Sequence, residues 1–156
     1  MEPSPPGHFH QTCQLPGRLE ELERLNAAIE AASADCHFSM IEEQQLLLVC
    51  EEVFANIIAH GYEGRLDGQV HVSLDFANDR LRLVFIDEGI AFDPLLRADP
   101  NVSAELDDRQ IGGLGIFLVR RIADEATYQR IDGKNILTLV KLRQSTGTTD
   151  PGKSAP

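Results

Sequence analysis

The chain has 156 residues, of which 42% are hydrophobic and 25% are charged. That length is enough for one domain whose core needs neither a metal nor disulfides to hold it together. The formal net charge of -11 disfavours direct binding to nucleic acid, which normally rests on a basic surface that displaces counterions. No apolar run reaches the roughly 18 residues that a membrane-spanning helix needs, so we expect no membrane segment.

The cysteines and the N-terminal sequence indicate a compartment. The chain has 3 cysteines, an odd number without C-x-x-C spacing, so we expect free thiols in a reducing environment. The opening sequence MEPSPPGHFH has neither the basic start nor the apolar centre of a secretory signal. Both observations favour a cytoplasmic protein.

The first third of the chain predicts a strand followed by a helix. Alternation of apolar and polar residues over 9–15 gives a weak strand signal, which Pro16 and Gly17 end. An amphipathic helix should follow, because apolar residues then recur at intervals of three or four positions. These residues are Leu19, Leu22, Leu25 and Ile29.

A second helix is predicted from a capping motif. Ser39 and Glu42 form an S-x-x-E capping box, in which each side chain satisfies a free backbone donor at a helix start. The buried stripe of this helix is expected to be Leu46, Val49, Val53 and Ile57. We expect the helix to end near His60, with Gly61 as a cap in the left-handed conformation.

The remainder predicts two hairpins and a third helix. Alternation over 70–76 and 81–85, with ANDR between them, indicates an antiparallel hairpin. From residue 90 to residue 111 the apolar residues show no sustained periodicity. A loop this long is usually functional, so we predict a lid over about 90–112. After GGLG, residues 116–122 suggest a helix, and TYQRI, DGK and NILTLVKL suggest a closing hairpin.

This order of elements predicts an α+β fold. Adjacent hairpins imply a mixed, mostly antiparallel sheet, and about three helices must bury their stripes against one face of it. The expected architecture is therefore a two-layer α/β sandwich. We expect the domain to occupy residues 9–143, with disordered ends at 1–8 and 144–156, because the tail has no apolar content.

Two polar residues stand out on the second helix. Glu52 and Asn56 are one turn apart and project from the same side of the helix, off its apolar stripe. A solvated helix face is the simpler explanation for such a pair taken alone.

Two further motifs could bind a ligand. Asp87 ends an apolar strand and precedes Gly89, which suits recognition of an amine such as that of adenine, with an acidic turn as the alternative. The glycines of Gly112–Gly115 precede the third helix, where backbone N–H groups and the helix dipole favour a phosphate. Glycines before a helix are a weak signal when taken alone. They do not form a P-loop, because no G-K-[ST] follows them.

Taken together, the motifs resemble a known family. The segments EEVFANIIAHGYE, IDEGIAFDP and GGLGIFLVRRIADEATYQR are similar to the ATP-binding domain of histidine kinases, GyrB-type topoisomerases, Hsp90-type chaperones and MutL. This is the Bergerat or GHKL fold. Within that group the chain most resembles the bacterial anti-sigma factor serine kinases, over about residues 9–143.

The resemblance implies a role for each motif residue. Asn56 would ligate Mg²⁺, Glu52 would act as the general base toward a partner serine, and Asp87 would bind adenine. The remaining nucleotide contacts that the resemblance implies are Gly89, Phe92, Gly112, Gly113, Leu114, Gly115 and Thr138.

Two features depart from the family pattern. The family motif reads D-x-G-x-G, and Ala91 stands at its second glycine, where a side chain disfavours positive φ and could lower nucleotide affinity. No basic residue clearly matches a γ-phosphate contact. Arg109, in the predicted lid, is a candidate, with an ordinary solvated arginine as the alternative.

The resemblance implies an ATP- and Mg²⁺-dependent protein-serine kinase. Its expected partners are an anti-anti-sigma protein with a STAS domain, which it phosphorylates, and a sigma factor, which it sequesters. Two alternatives stay open: a nucleotide-gated protein-binding module without phosphotransfer, and a stand-alone histidine-kinase ATPase domain. The resemblance also allows a homodimer.

Overall fold

The computed structural model describes residues 7–63, 65–96 and 113–145. Its strands and helices follow the predicted order of strand, two helices, hairpin, helix and hairpin. They are β1 (Phe9–Pro16), α1 (Leu22–Asp35), α2 (Met40–Asn56), β2 (Gln69–Ala77), β3 (Arg80–Asp87), α3 (Gly113–Ile122), β4 (Glu125–Ile131) and β5 (Lys134–Leu142). Within these residues no helix is both long enough and apolar enough to cross a membrane.

The described strands form one five-stranded sheet in the order β1-β2-β3-β5-β4, with antiparallel neighbours throughout. Alternate residues of each strand face the three helices, which together bury the core against that side. At the centre of the sheet, for example, Val72 pairs with Phe85 and Phe85 pairs with Leu137, and all three are buried. The predicted two-layer α+β sandwich is therefore confirmed.

Both hairpins turn through residues in the left-handed region. Asn78 and Asp79 have φ values of 53° and 61°, and Asp132 and Gly133 have φ values of 50° and 77°. Two consecutive residues with positive φ are typical of the tight turns whose twist matches that of paired strands. The predicted ANDR and DGK turns are thus confirmed.

The capping box at the start of α2 forms as predicted and also ties down the end of the sheet. The Glu42 backbone N–H donates to Ser39 Oγ (3.2 Å), and the Ser39 backbone N–H donates to Glu42 Oε2 (2.7 Å). The second carboxylate oxygen, Oε1, accepts from the Gln144 backbone N–H at 2.6 Å. Packing therefore reaches Gln144, one residue beyond the predicted domain boundary.

Glu42 is a buried residue, only 4% exposed. Burial alone would raise its pKa, but hydrogen bonds from the Gln144 backbone and from Ser39 outweigh burial, with help from the Lys141 charge. The pKa of Glu42 therefore lies below its usual value of 4.5.

The end of α2 differs from the prediction. The helix continues into a π-helical turn, Ile57–Gly61, closed by a bond from the Tyr62 N–H to the Ile57 carbonyl oxygen at 3.0 Å. Gly61 is not among the described residues with positive φ, so the expected left-handed cap is wrong. Leu19 also departs from its predicted stripe, because it lies in a 3₁₀ turn ahead of α1 and is 56% exposed.

Tyr62 anchors this turn to the sheet. Its hydroxyl donates to the Gln69 carbonyl oxygen (2.5 Å) and accepts from the Glu88 backbone N–H (3.0 Å). A β-carbon at Gly68 would overlap the tyrosine ring, so the ring fits only because position 68 has no side chain. The end of α2 is thereby fixed beside the end of β3.

The predicted lid and chain ends lie largely outside the described residues. Residues 90–96 are described and include a 3₁₀ turn, Pro94–Leu96. The rest of the predicted lid, from 97 to 112, falls outside, as do 1–6 and 146–156. The boundaries proposed for the lid and for the disordered ends stay predictions.

We expect Glu42→Gln to lower the free energy of unfolding at pH 7 by about 1–3 kcal/mol, because the amide group turns a donor toward a backbone donor. The matched control is Glu43→Gln, for which we expect a change within about 0.5 kcal/mol. Denaturant unfolding measures both.

The wild-type protein and Glu42→Gln together also test how the free energy of unfolding depends on pH. A carboxylate with a lowered native pKa stabilises the fold above its unfolded pKa, and this contribution is lost as the pH falls through the native value. The difference between wild type and Glu42→Gln should therefore shrink below about pH 4.5. A difference that stays constant down to pH 3 would contradict the role given to the ionised carboxylate.

Candidate functional site

A cleft opens where α2, the end of β3 and the start of α3 meet. Its empty volume, part of it continuous with solvent, is about 360 Å³. It is lined by Val53, Asn56, Ile57, Gly61, Asp87, Phe92, Pro94, Ile116, Tyr128, Asn135 and Leu137. Three residues predicted from the sequence, Asn56, Asp87 and Phe92, therefore line one cleft. The sequence analysis did not single out the polar residues Tyr128 and Asn135, which line it as well.

Asp87 is the buried charge of this cleft and is only 4% exposed. Its Oδ1 accepts two hydrogen bonds, from the Gly89 backbone N–H and from Asn135 Nδ2, both at 2.9 Å. Among the described residues none donates a hydrogen bond to Oδ2. One carboxylate oxygen is thus held by the protein, and the other is left to accept from a ligand.

Burial changes the protonation equilibrium of this carboxyl group. It raises the pKa of Asp87 above the usual value of 3.8, although the donors Asn135 and Gly89 and the charge of Arg130 partly offset the rise. A buried carboxylate with a raised pKa in a cleft is typical of a functional position.

Gly89 is required by the protein backbone. The Ile90 N–H donates to the Gly61 carbonyl oxygen at 2.8 Å, and a β-carbon on Gly89 would overlap that carbonyl group. At Gly61, a β-carbon would lie 3.2 Å from Asp87 Oδ1. Position 89 therefore needs a glycine because two backbone segments approach closely there, and the nucleotide contact implied for Gly89 stays a prediction.

Asn135, at the start of β5, is the main site residue that the sequence reading missed. Its Oδ1 accepts from the Tyr128 hydroxyl (2.5 Å), from Arg130 Nη1 (3.0 Å) and from the Phe92 N–H (3.4 Å). Its Nδ2 donates to the Ile90 carbonyl oxygen at 2.8 Å as well as to Asp87. The available signal was strand alternation, because Asn135, Leu137 and Leu139 occupy the same inward register.

Thr138 is not brought to the cleft. It pairs with Val84 on the face of the sheet that points away from the helices, whereas Asn135 and Leu137 point inward. Successive side chains of a strand lie on opposite faces, so the expected contact of Thr138 with a nucleotide is wrong. The polar inward position of β5 belongs to Asn135.

Glu52 and Asn56 lie on the side of α2 next to α3. Asn56 lines the cleft, and the half-buried Glu52 lies so close to Gly115 that a β-carbon there would overlap the carboxylate. The first turn of α3 begins at Gly113. The candidate base and the glycine-rich helix start are therefore in contact, while Gly112 falls outside the described residues.

Phe92 closes one side of the cleft by stacking on a histidine. The rings of His60 and Phe92 have centroids 4.9 Å apart and planes 21° apart. This ring contact indicates a structural role for His60, at the end of α2.

The two departures from the family pattern have different outcomes. Ala91 is exposed and is not among the described residues with positive φ, so the backbone there does not need a glycine. Arg109, the candidate phosphate contact, lies outside the described residues.

Comparison with known proteins identifies the family. Residues 15–141 match the model of the histidine kinase-like ATPase domain. Because this match spans most of the chain, the chain belongs to that family, and the resemblance predicted from its motifs is confirmed.

Two proteins that are similar to this chain are named as protein kinases. The chain is 35% identical to the serine/threonine-protein kinase BtrW of Bordetella bronchiseptica over 94 residues, which is 60% of this chain and 66% of that protein. It is 28% identical to the serine-protein kinase RsbW of Listeria innocua over 136 residues, which is 83% of this chain and 85% of that protein.

A solved structure shares the fold. It contains the RsbU and RsbW domains of Rv1364c from Mycobacterium tuberculosis, and it matches with a TM-score of 0.62 at 16% identity. The match covers 86% of this chain but spans only 32% of that longer one. At this identity the likeness establishes the fold.

The close approach of Gly61 and Gly89 can be tested directly. We expect Gly89→Ala to lower the free energy of unfolding by about 1–3 kcal/mol, because the methyl group must displace backbone atoms. The control is Ala91→Gly, two residues away, which should cost less than about 1 kcal/mol. Equal unfolding free energies for wild type and Gly89→Ala would show that the two backbones do not approach as described.

Proposed function

We propose that this chain is an ATP-dependent protein-serine kinase whose substrate is an anti-anti-sigma protein with a STAS domain. The observation that carries the proposal is the arrangement of side chains around the cleft. Asp87 offers one free oxygen there. Glu52, one turn from Asn56 on α2, contacts the start of α3. The kinase relatives support the same reaction class.

Asp87 would recognise the base of the nucleotide. A carboxylate is an acceptor only, so its free Oδ2 suits the exocyclic amine of adenine. Apolar residues such as Ile57 and Leu137 line the same cleft and suit the faces of a planar ring. Burial strengthens this hydrogen bond because few water molecules compete for the carboxylate.

Asn56 fits a magnesium site because its amide oxygen is a hard ligand in the cleft. Mg²⁺ keeps several water molecules and needs only one or two protein ligands besides phosphate oxygens. When bound, the ion would neutralise charge on the phosphates. The role of Asn56 is then to hold the triphosphate end of the nucleotide near Glu52.

Glu52 would act as the general base. It accepts the proton of a serine hydroxyl on the partner as that oxygen bonds to the γ-phosphorus. The bond from the γ-phosphorus to the bridging oxygen breaks, and ADP leaves. The first turn of α3, beside Glu52, supplies backbone N–H groups and the positive end of the helix dipole to the transferring group.

The proposed biological setting is partner switching. The kinase would hold a sigma factor in one state and phosphorylate the anti-anti-sigma protein in the other. The serine-protein kinases named RsbW align over 79–83% of this chain, and this extent of similarity supports the proposal. A homodimer is part of the same proposal.

A second function, nucleotide-gated binding without phosphotransfer, is favoured by one observation. Among the described residues that line the cleft, none is a lysine or an arginine, although a cation commonly stabilises phosphoryl transfer. Incubation with labelled ATP, Mg²⁺ and STAS proteins from the same genome separates the two. Label on a partner serine supports the kinase, and tight nucleotide binding without label supports the gated binder.

In that assay we expect Glu52→Gln to lower the rate of phosphotransfer at least ~100-fold, because the proton acceptor is lost. Its affinity for ADP should stay within about twofold of wild type, since Glu52 makes no contact with the base in this scheme. The matched control is Glu51→Gln, on the exposed side of the same helix, which should transfer at the wild-type rate. Undiminished transfer by Glu52→Gln would remove Glu52 from the role of base.

We expect Asp87→Asn to weaken ADP binding at least tenfold at pH 8, because an amide can present a donor to the amine. The neighbouring Glu88→Gln, at an exposed position, serves as control. Wild-type affinity should also fall as the pH drops toward the raised pKa of Asp87, since protonation removes the acceptor. Calorimetry that finds equal affinity in wild type and Asp87→Asn would contradict the adenine assignment.

A further inference from the structure

The carboxylate of Glu52 lies against the first turn of α3. A β-carbon added to Gly115, the third residue of that helix, would overlap Glu52 Oε2 and would lie 2.8 Å from Glu52 Cδ. Both separations are well below van der Waals contact. The half-buried carboxylate of Glu52 therefore occupies the space that a side chain at position 115 would fill.

This position is electrostatically favourable for an anion. The first N–H groups of a helix have no partner within it and together carry roughly half a positive charge. Helix α3 has no acidic residue in its own first turn, whereas Arg120 and Arg121 stand in its last turn. Glu52, which comes from the neighbouring helix α2, supplies the negative charge at that end.

The γ-phosphate of the proposed reaction needs the same place. In the proposed function the first turn of α3 supplies N–H groups and its dipole to the transferring group. The γ-phosphate and the Glu52 carboxylate are both anions, and no described residue lining the cleft is a lysine or arginine that could compensate both. A nucleoside triphosphate must therefore displace the carboxylate, whereas a diphosphate leaves it in place.

We infer that Glu52 determines how the cleft discriminates between di- and triphosphates, because its carboxylate occupies the γ-phosphate position at the start of α3 until a triphosphate displaces it. The inference rests on the proposed function, from which it takes the nucleotide site. This role is separate from that of the base, since it affects binding in the absence of any acceptor protein. It also couples the two roles, because the carboxylate leaves α3 only when a transferable phosphate is present.

The rival explanation is that Glu52 is the base and nothing more. A residue that acts only as the base changes the rate of transfer and leaves nucleotide affinities unchanged. A residue that occupies the γ-phosphate position lowers the affinity for triphosphates alone. The measured quantity is therefore the dissociation constant of ADP divided by that of the β,γ-imido analogue of ATP, which resists cleavage. Calorimetry with Mg²⁺ and without acceptor protein gives both constants.

We expect Glu52→Gln to raise this ratio at least ~fivefold. Glutamine keeps the shape of the side chain but carries no charge, so the γ-phosphate no longer competes with an anion. Almost all of the change should be tighter binding of the imido analogue, since ADP does not reach the position that Glu52 occupies. Glu52→Ala removes the group altogether and should change the ratio in the same direction.

The matched control is Glu51→Gln, which removes the same charge from the adjacent, exposed position of α2. Its ratio should equal that of the wild type. This result would separate occupation of the γ-phosphate position from a general decrease in the net charge of -11.

The backbone amide of Gly115 gives a second readout by NMR. In the nucleotide-free protein its resonance should differ between wild type and Glu52→Gln, because the carboxylate lies beside it. With the imido analogue bound, the difference should be much smaller, since the carboxylate has then left α3. Glu51→Gln should leave this resonance unmoved in both states.

An unchanged or lower ratio in Glu52→Gln and Glu52→Ala would overturn the inference and leave the proposed function intact. So would an equal rise in Glu51→Gln, because the effect would then be one of net charge. A Gly115 resonance that Glu52→Gln leaves unmoved in the nucleotide-free protein would show that the carboxylate does not lie on α3. Failure of the wild-type protein to bind either nucleotide would overturn the proposed function, and the inference with it.

Discussion

A buried carboxylate is the constraint around which this site is built. Removing an ionised Asp87 from water is costly unless hydrogen bonds compensate for the lost solvation. The protein supplies two donors, the Gly89 backbone and the Asn135 amide, and directs both to the same oxygen. The other oxygen keeps its capacity to accept, so the arrangement that makes the buried charge tolerable also leaves it available to a ligand.

The two donors depend on close packing of backbone segments at the edge of the cleft. Gly61 ends a π-helical turn and accepts from Ile90, while Tyr62 bonds to β2 and to the residue after Asp87. These contacts bring α2 against the end of β3. The position of Asn56 and Glu52 relative to Asp87 follows from this junction, because all three lie on the elements that it joins.

Most of the architecture could be predicted because it depends on local patterns. The capping box fixed the start of α2 from four residues, and alternation with turn residues located both hairpins. The roles of Gly61 and Gly89 could not be predicted, since a glycine required by a close approach looks the same in sequence as one required by positive φ. Only the distance between two segments far apart in the chain separates these cases.

The site was predicted where the motif residues themselves face the cleft, as Asn56 and Asp87 do. It was missed on β5, where Thr138 was chosen from the family resemblance and the inward register belongs to Asn135. A shift of an odd number of residues places a side chain on the other face of a strand. The pairing of Asp87 with Asn135 across β3 and β5 determines the register, and no local motif encodes that pairing.

The central claim is that the free oxygen of Asp87 receives the amine of a purine nucleotide. The most direct measurement is NMR of the isotope-labelled protein during titration with ADP and Mg²⁺, following the backbone amide of Gly89 and the side-chain amide of Asn135. Both donate to the opposite oxygen of that carboxylate, so the account predicts that their resonances shift saturably with the bound fraction. Saturation by ADP that leaves both resonances unmoved would contradict it.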